Sequence, residues 1–208
     1  MKAVIPSLEK DKLRTIFDLI LTYNPQDAEK YGFTYTPMFV SKIEKDKLPV
    51  FPKTDVVFIG AAKDRLKLLH SLYEKLSNYN LECDFHITSV ENSDRKYPEN
   101  IMYSDKYMKY LDYLGREASS ECLIEIIKGD SQGNTYRSWE AVYYNKKLIT
   151  NWKGIFSFPF YDPKFMLYIE SEDDIDEKFF HENTVVNYNY KNENSPLNLL
   201  SLIQNSLE

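Results

Sequence analysis

The chain has 208 residues, 43% of them hydrophobic and 28% charged, which fits one full domain plus a fragment, or two small domains, and excludes global disorder. A net charge of -6 and a pI near 5.2, with basic residues scattered in clusters as short as Lys146-Lys147, argue against a nucleic-acid binder. No apolar run approaches the roughly 20 residues that span a bilayer, and the opening residues carry no secretory pattern, so the expectation is a cytoplasmic protein, peripheral at most to the inner face of the membrane.

Ser7 to Arg14 is a polar, helix-compatible stretch, and Phe17 to Tyr23 is an apolar run of strand length. Pro25 to Tyr31 reads as a helix, capped by Asn24, opened by Pro25 and stopped by Gly32. Thr34 to Val40 reads as extended, and the polar stretch Ser41 to Thr54, with Pro49 and Pro52, as a connection. From Asp55 the pattern becomes regular. Val56 to Ile59 is a continuous β-type run, as expected of a strand buried on both faces, and Gly60-Ala61-Ala62 reads as a tight turn. Asp64 to Asn78 places Leu66, Leu69, Leu72, Tyr73 and Leu76 at helical spacing. Cys83 to Val90 reads as a strand. Ser104 is expected to cap a helix to about Ala118 that carries Tyr107, Leu111 and Leu114 on one face. Then follow a strand (Glu121 to Ile127), a helix (Thr135 to Tyr144), two strands (Lys147 to Thr150, Phe165 to Ile169), a short helix (Asp174 to Phe180) and a terminal helix (Pro196 to Asn205). Alternating strands and helices predict βαβ units and a mainly parallel, Rossmann-like α/β sheet. The division expected is residues 1-54, a partial first domain and linker, and 55-208, a nucleotide-binding domain with the terminal helix. Ligands of such sheets lie beyond the C-terminal strand ends, here the loops after Ile59, Val90, Ile127 and Ile149.

The most informative segment runs from Ile126 to Asn151. A buried strand ends at Ile127, a small polar loop (Gly129 to Asn134) follows, and a helix starts near Thr135. Free N–H groups at a helix start favour a phosphate, and Gly133 lets backbone approach a ligand. Arg137 and Glu140 are spaced to share a helical face: the cation could meet phosphate and the carboxylate a ribose diol. The same residues are also consistent with a capped helix bearing a surface Arg–Glu pair.

Gly133-x-Thr135-x-Arg137-x-x-Glu140-Ala141, followed by Asn145-Lys146-Lys147-Leu148-Ile149-Thr150-Asn151, resembles bacterial polysaccharide-biosynthesis glycosyltransferases, the group-1-like enzymes of lipopolysaccharide and capsule pathways. Asp55 to Gly60 with Lys63-Asp64-Arg65, Cys83-Asp84-Phe85, Phe160-Tyr161-Asp162-Pro163, and Phe17-Asp18 through Tyr31-Gly32 resemble further parts in the same order, so the likeness runs from Phe17 to Phe180. The family places Gln two residues before the loop glycine; here Ser131 stands there and Gln132 adjoins Gly133. The resemblance implies the GT-B fold, with only the last elements of the acceptor domain visible. It implies transfer from a nucleoside diphosphate sugar to a glycan or lipid-linked acceptor. Gly60, Lys63, Ser131, Gln132, Gly133, Asn134, Thr135, Arg137 and Glu140 would form the nucleotide-sugar site, with Arg137 as the catalytic residue that neutralises the leaving diphosphate. No metal or other cofactor is implied. A non-catalytic sugar-nucleotide-binding subunit, paired with a partner or a second copy, is the alternative.

Other candidates read as structural. Asp174-Ile175-Asp176 has the form of a metal-binding Asp-x-Asp, but with Glu172 and Asp173 it crowds a helix start, where negative charge suits the dipole. His70, His86 and His181 lack metal-ligand spacing. Cys83 and Cys122 read as buried core thiols, Ser131 lacks a hydrolase elbow, and Trp139 reads as core. Trp152 could line a sugar or base pocket.

Overall fold

A computed structural model describes residues 10–128, 135–181 and 185–207. The chain divides into two compact units, Met1–Lys42 with Lys191–Glu208, and Ile43–Tyr190. The terminal helix thus groups with the first unit.

In the first unit, α1 (Lys10–Ile16) leads into a two-residue strand β1 (Leu21–Thr22), shorter than the run Phe17 to Tyr23. Helix α2 (Pro25–Tyr31) has the expected ends: Asn24 Oδ1 accepts from Gln26 N at 3.0 Å, and Gly32 closes it at φ 65°, a conformation that costs glycine nothing. A Cβ on Gly32 would also lie 2.5 Å from the Arg14 guanidinium, which donates to the carbonyls of Tyr31 and Gly32. β2 (Thr34–Tyr35) pairs in parallel with β1. The C-terminal helix (Pro196–Leu207) follows Asn194, whose side chain donates to Met38 O at 2.9 Å.

The second unit is a six-stranded, fully parallel sheet. It comprises β3 (Thr54–Ala61), β4 (Cys83–Thr88), β5 (Ile101–Ser104), β6 (Ser120–Glu125), β7 (Lys147–Thr150) and β8 (Met166–Tyr168), in the order β5-β4-β3-β6-β7-β8. The α/β fold class expected from the sequence is the one found. Strand β3 lies centrally, with Val56 to Ile59 all buried; its register sets Val56 opposite Cys83 on one side and Cys122 on the other. Helix α3 (Leu66–Asn78) lays Leu69, Leu72, Tyr73 and Leu76 on Val56, Phe58, Phe85, Ile87, Cys122 and Ile124. The helices α4 (Tyr110–Ser119) and α5 (Tyr136–Tyr144) pack on β3, β6 and β7. Gly115 in α4 permits a close approach, since a Cβ there would lie 2.4 Å from Pro49 O and 2.9 Å from the Phe51 ring.

Four local expectations are corrected. Gly60 and Ala61 belong to β3, and the chain turns instead through Lys63–Arg65, because their amides still serve the ladder to β4. Ser104 caps no helix: it ends the edge strand β5, its hydroxyl bonding Lys106, and α4 starts at Tyr110. The exposed Met102 in a four-residue strand gave β5 no recognisable alternation. Strand β6 stops at Glu125, two residues early, because Ile127 pairs with the side chain of Asn151 rather than with a backbone. Asp174 to Phe180 is a short turn (Glu172–Asp174) followed by a four-residue helix α6 (Lys178–His181). Among the described residues no helix is long and apolar enough to cross a membrane.

Candidate functional site

Where strand order reverses in an open parallel sheet, the loops leaving the two central strands diverge and open a crevice at their C-terminal ends. Here the reversal falls between β3 and β6. The groups leaving β3 are Gly60, Lys63 and Arg65. A Cβ on Gly60 would lie 3.3 Å from the Phe58 ring and 3.9 Å from Arg65 Nη2, so the guanidinium lies over the strand end. Arg65 donates to Ala61 O at 2.7 Å, while its buried Nε has no partner among the described residues. Burial, then the neighbouring Arg137, pull its pKa below the ordinary arginine value against the opposing pull of Asp64. Lys63 is exposed and left-handed, at φ 50°.

The groups leaving β6 are organised by a residue the sequence reading passed over. Glu125 is 1% exposed. Its carboxylate accepts from Thr135 N (3.1 Å) and Oγ1 (2.6 Å), Ser138 Oγ (2.9 Å) and Thr150 Oγ1 (2.8 Å). One carboxylate thereby ties the end of β6 to β7 and to the start of α5. Thr135 caps the helix, accepting from Arg137 N at 3.1 Å. The first turn of α5 therefore holds a protein carboxylate already, and the amides of Thr135 and Arg137 are used within the chain. Ser131, Gln132, Gly133 and Asn134 fall in the segment 129–134, outside the described residues.

Arg137 and Glu140 come together, but in the interior. Arg137 Nε donates to Glu117 (2.9 Å), Nη1 to Ile124 O (2.8 Å), and Nη2 to Ile59 O (2.5 Å) and to Tyr113 Oη (3.3 Å). Its guanidinium bridges the ends of the two central strands and pairs with Glu117, not with Glu140 at the surface. Glu140, 1% exposed, accepts from Tyr113 Oη at 2.6 Å. Its Oε1 and Glu117 Oε2 are buried and receive no donor from other groups among the described residues, and the two carboxyls bond each other. Burial, and then the charge of Glu117, hold the Glu140 carboxyl well above the ordinary carboxylate range. Burial also raises Glu117, against the pull of Arg137. One guanidinium neutralises one of the two buried carboxyls; the other, Glu140, keeps its proton. Burial, opposed by Arg137, raises the Tyr113 hydroxyl in the same way.

The other acidic and histidine candidates find partners within the fold. Asp174 accepts from the amides of Glu170 and Ser171, and Asp176 from Lys178 N. Among the described residues no group of three or more His, Cys, Asp or Glu could hold a metal ion. His70 bonds Tyr103, His86 bonds Asp84 and His181 bonds Glu177. Cys83 and Cys122 are free thiols, Cys122 buried as expected and Cys83 only half-buried at the edge of the core. Trp139 is buried among Tyr143, Phe158 and Phe160, and Trp152 packs against Phe158 and closely over Gly154. Sequence reasoning missed Glu125, Arg65 as a site cation, Tyr113 and Glu117. The signal for Glu125 was present: a carboxylate inside the apolar run Leu123 to Ile127 must be paired.

Strand order and helix placement define a doubly wound, Rossmann-like α/β unit. No protein-family model matches the chain, and no curated protein matches it. Among solved structures, the crystal structure of the glycotransferase of kitacinnamycin aligns with 99% of this chain at a TM-score of 0.55 and 10% identity. The spinosyn forosaminyltransferase SpnP aligns with 88% of it at a TM-score of 0.47 and 14% identity. At these identities the likeness to the first is one of fold. The aligned regions cover 59% and 54% of those two chains.

Proposed function

We propose that this chain is the donor-binding part of a GT-B-type glycosyltransferase, taking a nucleoside diphosphate sugar in bacterial surface polysaccharide synthesis. The observation that carries the reading is the reversal of strand order between β3 and β6, with Arg65 lying over Gly60 at that point and its Nε unpaired among the described residues. The fold shared with a glycotransferase supports it. In this reading the diphosphate meets Arg65 and Lys63, close to the bare backbone of Gly60 and to Thr135. The resemblance adds Ser131, Gln132, Gly133 and Asn134 to the residues that would hold the donor. Arg137, paired with Glu117, holds the two strand ends at fixed separation; direct contact with the diphosphate requires exchange of its present bonds. The ribose contact that the resemblance implies for Glu140 likewise requires the bond from Tyr113 to open. Because Arg65 and Lys63 supply the positive charge in this reading, no divalent metal is needed to stabilise the leaving group. The acceptor is a glycan or a lipid-linked sugar, and a partner subunit or a second copy is the candidate to help hold it.

The alternative, a non-catalytic sugar-nucleotide-binding subunit, draws support from the engagement of Nε, Nη1 and Nη2 of Arg137 by the protein. Calorimetry with UDP, GDP, TDP and CDP tests the shared core of both readings. At least one should bind, equally well in EDTA, and Arg65→Ala should weaken it tenfold or more. Failure of all four to bind would remove the nucleotide site. Sugar transfer to extracted lipid-linked acceptor then separates enzyme from binding subunit.

A further inference from the structure

At the opposite, N-terminal edge of the sheet, the second unit holds a cavity of about 580 Å³, within the range of small-molecule sites. Lys45, Lys146 and Lys147 line it, with Asp55 and Glu121. Lys146 decides its chemistry. Asn145 ends α5 at φ 52°, Lys146 N returns to Ala141 O at 2.8 Å, and Tyr188 Oη bonds Lys146 O at 3.0 Å. This turn directs the Lys146 side chain inward, where the residue is only 6% exposed, yet its ammonium has neither a hydrogen-bond nor an ion-pair partner among the described residues. Its neighbours are engaged: Lys147 Nζ donates to Phe179 O, Lys45 Nζ to Tyr144 O at 3.1 Å, and Asp55 accepts from Glu82 N at 2.7 Å.

We propose that this cavity is a second binding site, built to take the carboxylate of a small organic acid on the Lys146 ammonium. Lys146 is almost wholly buried while its unpaired ammonium still reaches the cavity, and a poorly hydrated ammonium gains from an anion beside it. Burial holds Lys146 below the ordinary lysine pKa; Glu121 opposes this, and the nearby Lys45 and Lys53 add to it. Both factors are relieved by an anion. Three lysines against two carboxylates on the wall leave one positive charge uncompensated, which selects a monoanion over a phosphate ester of higher charge. Leu81, Phe180 and Val186 supply apolar wall for the body of the ligand. The site stands apart from the crevice between β3 and β6, because its residues open β7 and β6 rather than follow them.

Benzoate is the probe, with neutral benzamide as its control. Calorimetry should show saturable benzoate binding at least tenfold tighter than benzamide, and the Lys146 Cε–Hε signal should shift in NMR of the wild type during the titration. Lys146→Met keeps the apolar stem and should lose tenfold or more in benzoate affinity with nucleotide affinity unchanged. Equal affinity for benzoate and benzamide, an unmoved Lys146 signal at saturation, or no saturable binding to the wild-type protein would each overturn the proposal. The NMR measurement on wild type keeps the test intact should Lys146→Met fail to fold.

Discussion

Arg137→Met removes the guanidinium that joins the ends of β3 and β6 while keeping an unbranched apolar stem. Three losses follow from the geometry. Glu117, 1% exposed, loses its 2.9 Å partner and becomes an uncompensated buried carboxyl. Ile59 O and Ile124 O lose donors at 2.5 and 2.8 Å. Breaking a buried ion pair from one side costs about 3–5 kcal/mol, and each buried acceptor left unpaired costs about 1–3 kcal/mol. The terms overlap, because Glu117 can take up a proton, so the expected loss is about 3–5 kcal/mol in all. That is a large part of the roughly 5–15 kcal/mol that holds a domain together. Urea unfolding followed by circular dichroism should place the midpoint more than about 1 M lower, given slopes of roughly 1–3 kcal/mol/M. The double variant Arg137→Met with Glu117→Leu removes the stranded carboxyl as well. It should recover at least about 1 kcal/mol of the loss, since contacting residues couple to that extent. A single variant that unfolds within about 0.5 kcal/mol of wild type, the range of neutral surface changes, would refute the internal assignment. If it lost nucleotide affinity at the same time, Arg137 would be returned to the ligand-facing role that its spacing implies.

Glu140→Gln should flatten the dependence of stability on pH. The folded protein keeps the Glu140 proton at pH values where the unfolded chain, near its ordinary pKa of about 4.3, has released it. Wild-type stability therefore falls as pH rises from there toward the raised folded value; the amide cannot ionise, and an identical slope between pH 4 and 8 in the two proteins would refute the assignment of the proton to Glu140. Glu125→Ala leaves the Thr135 amide and three hydroxyls without their common acceptor. It should cost about 1–3 kcal/mol in urea unfolding and raise hydrogen exchange at the start of α5; unchanged exchange there would separate Glu125 from the helix start. Gly115→Ala drives a Cβ to within 2.4 Å of Pro49 O, a backbone atom, and should lose about 1–3 kcal/mol; a neutral or stabilising result, as at an ordinary helical glycine, would show that the approach relaxes freely.

The local pattern of the chain determined a good deal. The continuous apolar run at Val56 to Ile59 is what a strand buried on both faces requires. The spacing of Leu69, Leu72 and Leu76 could only be a helix with one covered face. Alternation of the two then left a parallel sheet as the way to bury both. The ends of α2 were equally legible, because Asn24, Pro25 and Gly32 act within one turn of themselves. Tertiary structure decided which way the polar groups of the candidate site face. From spacing, Arg137 and Glu140 share a helical surface. In the fold that surface is the one laid against the sheet, so the cation meets Glu117, twenty residues away in sequence, and two strand-end carbonyls instead of solvent. No local rule reports such a choice, since a helix with both apolar and charged residues on its inner face is buried or exposed according to what the sheet and α4 offer it. The same holds for Glu125, whose carboxylate is tolerable in an apolar strand only because Thr135, Ser138 and Thr150, distant in sequence, deliver their donors to one point. It holds also for Arg65, whose position over Gly60 depends on a turn that follows the strand two residues later than the glycine suggests. Propensity and periodicity fix what an element is; which charges are neutralised, and which remain free for a ligand, is settled where elements far apart in sequence meet.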